Sequence, residues 1–354
     1  MLFMSGKLRK SLFYLSADMG SAHWYKRVSW LKGIGMSVSP VGFGFRCNQS
    51  LEHLTSPSFC VLSRRWFILR VICSLFFFIA SFRKLKSGAV VVRGFEFEVL
   101  CAFFGVSFIV EYSDINPRQK NGSILYRVQQ WVFRKSLGVA VTSPAFLTYF
   151  GYEQTTLRFV WHNLPPISHT ETNLQFDYRK RKIVYCGFLR NFDSLSRLGM
   201  YSAVDVYGTF NLSGNDQATF EELCSDSVIY HGPYSYDEVP NIYGQYLFAY
   251  VDDEFNQNSQ FNLTNRLYES VLAGCLPIAR ASDSFLSNFM AVNDIGILYS
   301  SYKGLSAILE LSNNDVAHRV VQSQNNLMKV VLDDHITAEN AFHRLAVSSF
   351  VSER

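Results

Sequence analysis

Residues 230–279 read YHGPYSYDEVPNIYGQYLFAYVDDEFNQNSQFNLTNRLYESVLAGCLPIA, and this stretch decides how the chain is read. A strand ending at Tyr230 runs into a His-Gly-Pro turn, after which Val239, Ile242 and Tyr243 recur at the spacing of an amphipathic helix. The apolar run 247–251 is the next strand. A polar loop follows and closes at Thr264 or Asn265, either of which suits a helix N-cap. Arg266 and Glu269 then fall in the first turns of a helix whose end Gly274 marks, and CLPIA starts another strand. Strands alternating with helices point to a parallel sheet with helices packed on it.

The same alternation extends in both directions. The second half predicts strands over 183–186, 203–207, 228–230, 247–251, 276–279 and 296–299. The first half predicts strands over 12–16, 37–43, 89–93, 106–111 and 138–142, with helices over 21–32, 63–85, 96–104 and 123–135 between them. Between them the composition changes: Pro165 and Pro166 stop the preceding element, a polar run follows, and 179–182 is a charge cluster. The expected organisation is an N-terminal Rossmann-like domain (1–165), a linker (166–182), a second Rossmann-like domain (183–335) and a closing amphipathic helix (336–354). Two doubly wound α/β units place ligands outside the carboxyl ends of their strands, with the cleft between the units as the expected site.

Composition bounds the function. The chain has 354 residues, 18% charged and 48% hydrophobic, which excludes a disordered or low-complexity protein. Lys plus Arg is 33 against 29 Asp plus Glu, and a net charge of +4 without a dominant patch argues against nucleic acid as partner. Cys47, Cys60, Cys73, Cys101, Cys186, Cys224 and Cys275 are scattered, odd in number and free of any CxxC pattern. They read as reduced, mostly buried thiols in a cytoplasmic protein without a structural metal. Residues 1–10 are short and mixed and the next apolar run is strand-sized, so no secretory signal is expected.

The stretch 66–82, WFILRVICSLFFFIASF, holds Arg70 and is flanked by Arg64, Arg65, Arg83, Lys84 and Lys86. Three readings fit it: a buried helix of the α/β layer, a helix lying on an anionic membrane face, or a membrane span.

The motifs HGPYSYDEVPNIYG, NRLYESVLAGCLPIA and YCGFLR (185–190) resemble the nucleotide-sugar domain of GT-B glycosyltransferases, especially the retaining group called family four, which includes enzymes of bacterial surface polysaccharide synthesis. EYSDINP (111–117) and VTSPAF (141–146) extend the resemblance more weakly into the first half. It implies two Rossmann-like domains facing a cleft, and a hexosyltransferase that moves a sugar from a UDP- or GDP-sugar to a glycan or lipid-linked glycan, with retention and without a metal cofactor. A catalytically silent subunit binding a partner enzyme or glycan, and a nucleotide-sugar epimerase, are the alternatives. The protein is expected in the cytoplasm, or peripherally on the cytoplasmic membrane face.

The resemblance also assigns residues. Arg266 matches the diphosphate contact and Glu269 the ribose ligand. A helix N-terminus with an adjacent guanidinium suits a doubly charged diphosphate, and a carboxylate accepts from both ribose hydroxyls. Spacing alone leaves Glu269 equally an exposed helix carboxylate. Gly187 permits a tight turn with Arg190 three residues on, and Tyr234 and Tyr236 stand where the family holds the base. In the first half, Gly20 allows close backbone approach and His23 binds acceptor or phosphate. Asp114 and Glu96 follow strand ends where a general-base or acceptor-binding carboxylate belongs, Asp114 being preferred. His162 and Asn163 end the last strand of that half, where they line a cleft or make an ordinary turn. Phe261 departs from the pattern: it stands where many retaining members have a second Glu, with Asp252, Asp253 and Glu254 as nearby carboxylates.

Overall fold

The computed structural model describes residues 11–16, 22–42, 67–113, 122–149, 157–165, 176–189, 192–210, 220, 222, 226–252 and 261–351. The chain divides into two compact units, one of residues 1–163 with 334–354, the other of 164–333.

Each unit is built on a six-stranded sheet whose described pairings are all parallel. In the first, β1 (Ser11–Ser16), β2 (Ser37–Gly42), β3 (Ala89–Arg93), β4 (Phe108–Tyr112), β5 (Gly138–Val141) and β6 (Leu157–Val160) lie in the order 2-1-3-4-5-6. In the second, β7 (Lys180–Leu189), β8 (Val204–Phe210), β9 (Val228–Gly232), β10 (Tyr246–Tyr250), β11 (Leu276–Arg280) and β12 (Ile297–Tyr299) lie in the order 9-8-7-10-11-12. The chain therefore reverses its direction of travel across the sheet between β1 and β3, and again between β7 and β10. Such switch points leave a crevice at the carboxyl ends of the two strands, where α/β sheets bind ligands.

The sequence accounts for the strands directly. Val90, Val91 and Val92 of β3 are fully buried, as are Ala249 and Phe248 of β10. Strands covered on both faces read as continuous apolar runs because no face meets water. Helix starts are fixed by serine caps: Ser123 accepts from the Tyr126 amide at 3.1 Å and Ser284 from the Ser287 amide at 3.1 Å.

Three expectations need correction. The closing helix runs Asn313–Val351, not from 336, because Val316, Val320, Leu327 and Val331 carry the same buried period. Its first half, through Val316 and Val320, joins the core of the second unit. Its last half, through Ala338, Phe342 and Leu345, joins the core of the first. The linker range is entered by β7, which already begins at Lys180. The helix Phe67–Ser87 is neither a span nor a buried helix: no helix among the described residues is long and apolar enough to cross a membrane, and this one buries only the side carrying Ser74, Phe78 and Leu85.

Aromatic rings fill much of both cores. Trp161 packs 4.6 Å from Phe342 and 5.3 Å from Trp30, while Phe192, Phe210, Phe220 and Tyr230 interlock in the second unit. Cys101, Cys186 and Cys275 are buried free thiols and Cys73 is half-buried; Cys47, Cys60 and Cys224 lie outside the described residues.

One buried carboxyl sets a pH dependence. Glu98, on the helix Phe95–Phe104, accepts from Gln129 Nε2 at 2.9 Å, and burial pushes it from 4.5 up to about 7. Between those values the native state holds a proton that the unfolded chain has lost, so stability falls as pH rises through this window. Glu98→Gln should change stability little at pH 5 and raise it by about 2 kcal/mol at pH 8, measured by urea denaturation. Equal effects at the two pH values would refute the buried-proton account.

Candidate functional site

The second unit's switch point is bridged by one side chain. Arg266 opens the helix Asn265–Leu272, and its Nη1 donates to the Tyr185 hydroxyl on β7 at 2.7 Å while Nη2 donates to the Asp252 carbonyl just beyond β10 at 3.0 Å. The guanidinium also lies over the Tyr185 ring, 4.6 Å from its centroid, and Tyr185 is itself fixed by donating to the Phe188 carbonyl at 2.7 Å. A rigid, nearly buried cation thus sits at the carboxyl edge of the sheet.

Glycine makes the space. Gly187 has φ +149°, and a Cβ there would stand 3.0 Å from Arg266 Nη1. Its partner across the ladder is Gly208, where a Cβ would meet the Gly187 carbonyl oxygen at 1.9 Å. Side chains at either position would push β7 away from the guanidinium or from β8.

Glu269 lies one turn further along the same helix, buried, and lines a small cavity with Tyr236, Val239, Pro240 and Pro165. Tyr236 begins a 3-10 turn held by Glu238, which accepts from the amide and hydroxyl of Ser235, both at 2.7 Å. The Tyr234 hydroxyl is driven well above its ordinary value by burial, then by Cys186 and Glu269, with Arg266 opposing. Tyr243 responds to the same groups. The structure therefore gathers Gly187, Tyr234, Tyr236, Arg266 and Glu269 at one edge of the second unit, whereas Arg190 lies outside the described residues. Tyr185, Tyr243 and the Asp252 carbonyl are the components the sequence reading missed. Tyr185 stands inside the YCGFLR motif, but nothing in a strand's alternation tells which aromatic faces an arginine 81 residues away.

In the first unit a buried ionic cluster joins β1 to β4. Glu111, on β4, accepts from Arg27 Nε at 2.6 Å, contacts His23 Nε2 at 2.6 Å and accepts from the Tyr14 hydroxyl of β1. Arg27 further donates to the His162 carbonyl at 2.7 Å and lies 4.0 Å over the Trp161 ring. Burial alone would raise Glu111, but His23, Arg27 and Arg93 hold it well below the usual carboxylate range. Burial, with Arg93, lowers His23 to about 3. An ionised carboxylate only accepts, so the neutral imidazole donates through Nε2 and keeps its lone pair on Nδ1. Gly20 and Asp114 lie outside the described residues. Glu96 is half-buried on its helix. The His162 ring meets Asp334 at 2.8 Å, and the Asn163 carbonyl accepts from Lys26 Nζ at 3.4 Å. Among the described residues, no group of three or more His, Cys, Asp or Glu side chains is placed to hold a metal ion.

No family model and no curated protein matches the chain in sequence. Solved structures do match in three dimensions. HepE of Anabaena, crystallised with UDP, superposes with a TM-score of 0.65 at 14% identity, covering 96% of this chain and 99% of that one. Sucrose-phosphate synthase from Thermosynechococcus elongatus gives 0.66 at 12% identity over 96% of this chain and all (100%) of the other. UDP-GlcNAc 2-epimerase from Methanocaldococcus jannaschii gives 0.55 at 10% identity over 86% and 92%. The fold is GT-B. Within this GT-B chain one polar cluster lies at the reversal point of the second sheet, and the other reaches from β1 to β4 in the first.

The first-unit cluster has a measurable signature. Between pH 6.5 and about 3 the unfolded chain protonates His23 while the folded one does not, so stability falls as pH falls through this window. His23→Gln should flatten that dependence by about 1.4 kcal/mol per pH unit between pH 6 and 4, read from urea denaturation. An unchanged slope would show that the imidazole is charged in the native state.

Proposed function

We propose that the chain is a GT-B glycosyltransferase that uses a UDP- or GDP-sugar as donor and a glycan or lipid-linked glycan as acceptor, in surface polysaccharide synthesis. The observation that carries the reading is Arg266 pinned across the β7/β10 switch point, with Glu269 one turn along the same buried helix. A guanidinium fixed by Tyr185 and Asp252 presents its charge without reorganising, which is what a diphosphate leaving group needs as negative charge develops on it. Thr264 precedes the helix without a capping bond to it, its hydroxyl donating instead to the Val251 carbonyl at 3.2 Å. The helix N-terminus therefore adds its dipole to the same charge.

In this reading Arg266 contacts the diphosphate, Arg190 serves as a second phosphate contact, and Gly187 lets the phosphates approach the backbone. Glu269 accepts from the ribose hydroxyls, and Tyr234 and Tyr236 flank the base. Positive charge at the diphosphate comes from side chains and a helix terminus, so the reaction is assigned no metal. Gly20 gives backbone room in the first unit. His23, neutral and with its Nδ1 lone pair available, suits hydrogen bonding to an acceptor hydroxyl better than holding an anion. Its low basicity leaves proton abstraction to Asp114. HepE has been solved with UDP and with UDP and glucose, which favours a UDP-sugar as the first donor to try. Retention follows from the family-four resemblance.

The epimerase among the structural neighbours supports one second reading, inversion of a sugar while it remains on its nucleotide. Incubation with UDP-, GDP- and dTDP-sugars separates the two: nucleotide release or transfer supports the first, and conversion of one nucleotide sugar to another the second. Glu269→Ala should weaken nucleotide binding by roughly ten- to a hundredfold, the worth of a hydrogen bond to a charged group, with an unchanged thermal midpoint. Calorimetry showing wild-type affinity would remove the ribose assignment.

A further inference from the structure

The helix Phe67–Ser87 carries apolar side chains on both its buried and its exposed sides. Ser74, Phe78 and Leu85 point inward and are buried, yet the opposite side is apolar as well: Ile72 is 57%, Phe76 67% and Ile79 61% exposed. At 100° per residue these three, with Arg83 and Lys86, fall within about 80° of arc, forming one stripe that is apolar along most of its length and cationic at its C-terminal end. Phe103, 73% exposed, extends the apolar surface from the neighbouring helix Phe95–Phe104. Lys86 Nζ donates to the Gly105 carbonyl at 3.2 Å, and Phe104 packs 5.5 Å from Phe78 and 5.6 Å from Phe82.

We propose that this stripe is a docking surface for an anionic lipid bilayer, on which the helix lies parallel to the membrane plane. The occupant is indicated by charge. Arg83, Lys84 and Lys86 are exposed beside the apolar residues, and the sequence has no Asp or Glu between Glu52 and Glu96. A protein partner needs no such one-sided charge, whereas an anionic headgroup layer above an acyl interior needs both cations and apolar side chains. Phe76, Ile79 and Phe103 enter the boundary between headgroups and acyl chains, and the three cations meet lipid phosphates. The surface belongs to the first unit, and the inference does not rest on the glycosyl-transfer reading.

Vesicle cosedimentation of the full chain tests it without donor or acceptor. The wild type should sediment with vesicles containing roughly one-third phosphatidylglycerol and not with pure phosphatidylcholine, and should be released by salt. Arg83→Gln with Lys84→Gln and Lys86→Gln should lower partitioning roughly a hundredfold. Phe76→Ser with Ile79→Ser should lower it by at least about tenfold at low salt, with an unchanged melting curve because both side chains are already exposed. Phe76→Trp keeps the apolar contact, and its added fluorescence should be quenched by bromine-labelled acyl chains. Failure of the wild type to sediment, wild-type partitioning of the Phe76→Ser, Ile79→Ser protein, or absence of added quenching would each overturn the proposal. So would a lipid-independent dimer that Ile79→Ser dissociates, since the stripe would then serve a second copy of the chain.

Discussion

A parallel sheet buried on both faces has few places where a polar side chain is tolerated, and the carboxyl edge at a switch point is the chief of them. There two adjacent strands send their loops in opposite directions, so carbonyls and amides are left facing a crevice and not a neighbouring strand. Arg266 exploits this in the second unit. Its guanidinium is bonded to the Tyr185 hydroxyl on β7 and the carbonyl just beyond β10, so the charge is held by groups on the two strands between which the chain reverses. Gly187 and Gly208 keep β7 and β8 close enough for that geometry.

The first unit solves the same problem differently. Arg27 and Glu111 are both almost fully buried, and neither would remain charged alone at an acceptable cost. They are paired and further bonded by Tyr14, by the carbonyl of His162 and by the face of Trp161. Burial, with Arg93, keeps His23 neutral, and its bond to Glu111 aims the ring from the first turn of its helix. It is rigid for the same reason that it is costly, because removing Arg27 or Glu111 leaves an uncompensated charge in a dry site.

The exposed stripe of the helix Phe67–Ser87 follows from the way a helix packs on a sheet. Only about half of a helix is covered by the strands beneath it, so a sequence that is apolar all round places apolar side chains in water unless another surface covers them. Composition alone sees a hydrophobic segment, and the total charge of +4 hides a run free of acidic residues.

The element order, most strand positions and most helix starts were legible in the sequence, but the start of the last helix at Asn313 was not. Buried parallel strands write themselves as Val- and Ile-rich runs, and caps and glycines punctuate the helices between them. Arg266, Glu269, Gly187 and Tyr234 were legible as candidates because they share short motifs at strand and helix ends. Local pattern did not reveal that Tyr185 receives Arg266 or that Tyr14, His23 and Arg27 converge on Glu111, because those contacts join residues 81 to 97 positions apart. Nor did it show that one helix from Asn313 contributes to the cores of both units. Sequence periodicity fixes which way a side chain faces on its own strand or helix. Which strands lie side by side, and therefore which side chains meet at the reversal points, is decided only when the chain closes its two sheets.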